Sequence, residues 1–199
     1  MLFSKFYKNN VNKYLGYTIL IISFLGLMNG IEEQVSNDIF FLTLLDIIPF
    51  EMLFPVTFFT FISLKSKSKL FKQKQLYLYI PFFVFSITNV GIVIFDVFGL
   101  TNNFKTLSFI YNLLDFQFYL VLIYSSVTGV FCLVLIHKSK HLEEGKKKWL
   151  EYLVASYFLL ILIWVITELY NLIADIESVY MEYVLWVGIT TFFYWISYK

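Results

Sequence analysis

The chain has no arginine; all 15 of its Lys+Arg residues are lysine. Without a guanidinium there is no planar fork to grip phosphate or carboxylate bidentately, and the chain itself is expected to bind no nucleic acid. Cysteine is almost missing. The single Cys132 lies in an apolar run, which excludes an internal disulfide and a thiolate metal cluster and leaves a small packing residue. Histidine occurs twice, at His137 and His141. Their i, i+4 spacing is one that metals use, but they stand in a solvated, lysine-rich loop with no third imidazole, so no metal is expected there. An Ala-x-Ala-like cleavage site is also lacking after the lysines and apolar segment of the N-terminus, so that segment reads as an uncleaved first span rather than a signal peptide. Catalysis lacks its parts as well. Cys132 has no histidine in its own leaflet and the serines have no base at membrane depth, so no enzyme activity and no cofactor are expected.

What the chain has instead is apolar sequence in long runs. Hydrophobic residues make up 59% of it and the mean hydropathy is +0.74, against about 45–50% apolar for soluble domains. The organising stretch is a lysine ladder, Lys65-Ser66-Lys67-Ser68-Lys69-Leu70-Phe71-Lys72-Gln73-Lys74, set between two runs without a basic residue, Asp46 to Leu64 and Leu76 to Val97. Each run approaches the ~20 residues that a helix needs to cross a ~30 Å hydrocarbon core. The ladder is therefore a cytoplasmic turn, because lysine-rich short loops stay inside.

Extending that rule along the chain predicts an all-α fold. It is a single membrane domain, residues 1–199, of six transmembrane helices at approximately 14–31, 45–64, 77–97, 112–136, 149–172 and 179–197, with both termini cytoplasmic. On this threading fourteen lysines face inward and only Lys105 faces outward, while eleven of the fourteen acids lie at or near the outer side. The runs lack the period-2 alternation of a barrel, and no internal repeat suggests an inverted-repeat transporter. Trp149, Trp186 and Trp195 read as interfacial anchors.

The acids carry the most chemistry. Asp46, Asp115 and Glu182 fall in the first turns of helices entering from outside, where a carboxylate complements the helix dipole. Glu168, in the last turns of an outward helix, has no such excuse. Glu51 lies fourteen residues before Lys65, roughly 21 Å along a helix, and an intramembrane carboxyl is functional by default. Pro55, four residues after Glu51, is expected to kink the second span and release the Glu51 carbonyl. Glu51, Asn89, Gln117 and Glu168 are thus expected to form an outward-opening pocket for a small cation, amine or proton. The other reading is a protonated Glu51 hydrogen-bonded inside the bundle with no ligand.

Four segments carry a resemblance: Pro49-Phe50-Glu51-Met52-Leu53-Phe54-Pro55-Val56, Tyr79-Ile80-Pro81-Phe82 after a basic loop, Lys147-Lys148-Trp149-Leu150, and Trp186 through Lys199. Over roughly residues 30–199 they resemble the N-terminal multi-span membrane domain of bacterial AraC-type helix-turn-helix regulators and of LytTR-type regulators. The resemblance implies a sensory, signal-transducing module whose last span passes the signal on through Trp195, Tyr198 and Lys199. That group usually carries a further span upstream and a DNA-binding domain downstream, and neither stands in this sequence. Two other functions fit: a small substrate-binding membrane subunit, similar in size to those of energy-coupling-factor transporters, or a ligand-free structural membrane protein. Partners expected are the lipid bilayer and either a second copy or another membrane protein, for which the Gly26/Gly30 spacing offers a packing face.

Overall fold

A computed structural model describes residues 10–32, 48–66, 75–97, 104–174, 187–189 and 191. Every element among them is helical. The order is α1 (Asn10–Glu32), a 3-10 turn Phe50–Met52, α2 (Leu53–Lys65), a 3-10 turn Gln75–Tyr79, α3 (Ile80–Val97), α4 (Phe104–Lys138) and α5 (Glu144–Ala174). Three stretches are long and apolar enough to cross a membrane, Leu76–Ile94, Phe116–Lys138 and Glu144–Thr167, and Val11–Gly26 is a shorter apolar helix. The first three overlap the expected third, fourth and fifth spans, and the shorter helix overlaps the expected first. Most of the expected sixth span, 179–197, lies outside the described residues.

The second expected span differs in form. It contains α2, thirteen residues long, preceded by the three-residue 3-10 turn; together they extend about 26 Å, while residues 45–47 lie outside the described chain. Proline accounts for the change of helix type. Pro55 has no N–H to give the Glu51 carbonyl, and the α-helical geometry begins only at Leu53. Pro55 is therefore the third residue of α2, inside the first turn, where a missing donor is an orphan anyway.

α2 is the centre of the bundle. Nine consecutive residues, Pro55 to Ser63, are buried, because α1, α4 and α5 surround it. Its Phe58, Phe59, Phe61 and Ile62 join Cys132, Leu135 and Ile136 of α4 and Leu150, Leu153, Val154, Tyr157, Leu160 and Ile161 of α5 in one apolar core. The α5 members recur at three- and four-residue steps, the stripe expected of one helix face. Phe58 and Tyr157 stack with ring centroids 4.7 Å apart and planes 3° apart. Trp149 is drawn into this core, edge-on to Phe61 at 6.4 Å, and its enclosed Nε1 has no hydrogen-bond partner. Half-buried in the second turn of α5, it packs against the core from the lysine end of the bundle.

Polar contacts set the rotation of each helix. Thr18 of α1 donates to Thr57 of α2 at 3.1 Å, and Val11, Tyr14 and Leu15 at the start of α1 pack on the core. Phe24, further along α1, meets Phe50 before α2 at 4.9 Å, so α1 runs antiparallel to α2. At the other end Ser139, just past α4, donates to the Ser66 carbonyl, just past α2, at 3.2 Å. Lys13, Lys65 and the loop from Lys138 to Lys148 consequently share one end of the bundle.

Candidate functional site

α3 is the least enclosed of the long helices. Ile80, Phe83, Val84, Ile87 and Ile94 are all exposed, whereas Asn89 and Val93 turn inward and are buried. Asn89 is a carboxamide in an apolar helix, a group that costs several kcal/mol in hydrocarbon unless it is hydrogen-bonded. Its partner is on α4. Asn89 Nδ2 donates to Gln117 Oε1 at 2.9 Å and Gln117 Nε2 donates to Asn89 Oδ1 at 2.7 Å, a reciprocal amide pair with both residues at least 95% buried. Two turns further along α4, the Tyr124 hydroxyl donates to the Leu78 carbonyl at 2.6 Å, in the 3-10 turn that leads into α3. These two contacts hold α3 against α4 at two levels.

Of the four residues expected to form a pocket, the structure brings Asn89 and Gln117 into direct contact. Glu51 is half-buried in the 3-10 turn before α2, and that turn lies against α1, α3 and α4. Glu168 belongs to α5, but its side chain lies outside the described residues, as do the whole of Asp46 and Glu182 and the side chain of Asp115. Trp195, Tyr198 and Lys199, expected to carry the output, lie outside them too. Among the described residues no group of three or more His, Cys, Asp or Glu side chains could hold a metal; His137 faces Glu151 at 3.8 Å and His141 is exposed.

A second polar system was not anticipated from the sequence. On α2 the hydroxyls of Thr57, Thr60, Ser63 and, just beyond it, Ser66 are buried at three-residue spacing. Thr60 returns its proton to the Val56 carbonyl at 2.8 Å and Ser66 to the Ser63 carbonyl at 3.1 Å. Opposite them Tyr157 of α5 donates to the Ser125 carbonyl of α4 at 2.9 Å, with Thr128 Oγ1 3.5 Å from the same phenol oxygen. Hydroxyls that satisfy themselves on their own helix allow close helix contact without leaving a polar atom stranded. Their regular spacing in a charge-free run was the available sign.

Chemically, the arrangement offers paired amides, hydroxyls and one half-buried carboxyl, with no nucleophile beside a base among the described residues. It is suited to holding helices in register and to exchanging one hydrogen-bond partner for another. Comparison with family models, with curated proteins and with solved structures returns no match for this chain.

Proposed function

We propose that the chain is a multi-span protein of the cell's inner membrane, with its lysine end and both termini cytoplasmic, serving as a sensory, signal-transducing module. The observation that carries this reading is the reciprocal Asn89 and Gln117 amide pair, which fastens a largely exposed helix, α3, to the core of the bundle. An amide pair exchanges partners at little cost when a competing polar group arrives, because each amide keeps a donor and an acceptor to offer. A small cation, amine or proton reaching the turn that carries Glu51 alters the charge beside α3 and α4. That change shifts the balance between a latched and a released α3. The resemblance to the membrane domains of AraC-type and LytTR-type regulators points the same way.

Spin labels at T88C on α3 and V127C on α4, both outward-facing positions, test the proposal in reconstituted vesicles. The distance distribution is expected to change with pH or with added small amines or monovalent cations, and N89L is expected to abolish the response. A distribution that stays the same under all of these conditions would remove the sensing role while leaving the membrane-spanning architecture in place.

A further inference from the structure

The lysine end of the bundle is unevenly charged. Ser139 Oγ donates to the Ser66 carbonyl at 3.2 Å and to the Leu135 carbonyl at 2.6 Å, which joins the C-terminal ends of α2 and α4 and gathers Lys65, Lys138 and Lys140 at one corner. No acid stands at that corner on either helix. Glu51 precedes the opposite end of α2, and Asp115 lies near the opposite end of α4, roughly 35 Å from Lys138 along the axis.

The beginning of α5 is balanced instead. Glu143 pairs with Lys146 at 2.9 Å and Glu144 with Lys148 at 3.0 Å, and Glu151 lies 3.8 Å from His137. Three acids there offset three lysines in number, so among the described residues the surplus charge of this end lies with Lys65, Lys138 and Lys140 and with Lys13 of α1.

We propose that this corner is a contact for anionic phospholipid headgroups, collecting them from the surrounding leaflet, and that the start of α5 is not. The inference rests on the reading that the lysine end lies at a membrane surface. Lysine suits such a partner better than a defined small-molecule site. Its ammonium is a point charge without a preferred plane, and its four-carbon stem lets the charge reach headgroup level from the end of an apolar helix. At an anionic surface each basic residue contributes on the order of a fivefold preference.

The full chain reconstituted in phosphatidylcholine vesicles, with trace spin-labelled phosphatidylglycerol or spin-labelled phosphatidylcholine, gives the test. The immobilised fraction of each label reports its relative association. Phosphatidylglycerol is expected to be favoured, with the preference shrinking as salt rises. The triple variant K65Q/K138Q/K140Q should lower that preference about fivefold or more, whereas K146Q/K147Q/K148Q, which removes the same number of charges, should keep most of it. Equal loss in the two variants, or no preference in the parent, would overturn the proposal. So would erasure of the preference by inorganic phosphate or a soluble acidic peptide at constant ionic strength, because either would assign the corner to a soluble anion. Circular dichroism confirms that each variant keeps its helices. Alkaline carbonate extraction of the same vesicles separates the two readings: a chain that is extracted refutes both, and a retained chain without lipid preference refutes this one alone.

Discussion

A Cβ added at Gly129 would stand 2.7 Å from Cζ of Phe158 and 3.0 Å from Cε1 of Tyr157, closer than van der Waals contact allows, so α4 and α5 touch there because this residue has no side chain. G129A should destabilise the bundle by about 1–3 kcal/mol, the usual cost of overpacking. In an F158A background most of that cost should vanish, since the nearest obstacle is gone; denaturation in mixed micelles measures both. Tyr157 separates packing from hydrogen bonding at one position. Y157F keeps the stack on Phe58 and loses the bond to the Ser125 carbonyl with the longer Thr128 contact, a loss of about 0.6 kcal/mol on the average for interhelical bonds in membranes, whereas Y157A should cost about 3–5 kcal/mol. At the exposed loop, the hydrogen bond and charge of Lys146 hold the Glu143 carboxyl below its usual range. A depressed folded-state value makes the contribution present above the unfolded value and lost as pH falls through the folded one. Because Glu143 is fully solvated, its replacement by Gln should leave the melting midpoint unchanged from neutral pH down into the carboxylate range.

α2 and α3 are both apolar, yet one is enclosed on every side and the other exposes most of its length. Composition does not separate them; position in the bundle does. The contact between α3 and α4 is the one whose energetics bear on function, and a double-mutant cycle measures it. N89L or Q117L alone removes both bonds of the pair from the amide that remains and should cost about 1–2 kcal/mol. The double variant should cost less than the sum, because neither polar group is then stranded. Additivity in this cycle would mean that the two amides contribute independently. Both residues could be picked out in the sequence as amides inside apolar runs, but their meeting could not, since it depends on how far each helix is rotated about its own axis. Pro55 shows the same division. Its missing donor was legible, while the start of the α-helix at Leu53, behind a 3-10 turn, was not.

For the whole molecule, the gathering of lysines at one end makes a direct prediction about sidedness. Cysteines placed near Gly99 and near Gly145 should react with an impermeant thiol reagent from opposite faces of the membrane, and native Cys132, fully buried, should stay silent. Labelling of both sites from the same face would overturn the threading. The sequence by itself determined the class of fold, the apolar helices and the segregation of charge, because hydropathy and net charge are sums over residues that need no partner to be read. Only the tertiary structure decided that α2 sits at the centre, that Asn89 is held by Gln117, and that the ends of α2 and α4 bring Lys65, Lys138 and Lys140 to one corner. Those outcomes depend on which ridges of one helix settle into which grooves of the next, a relation between distant segments that no local run of residues contains.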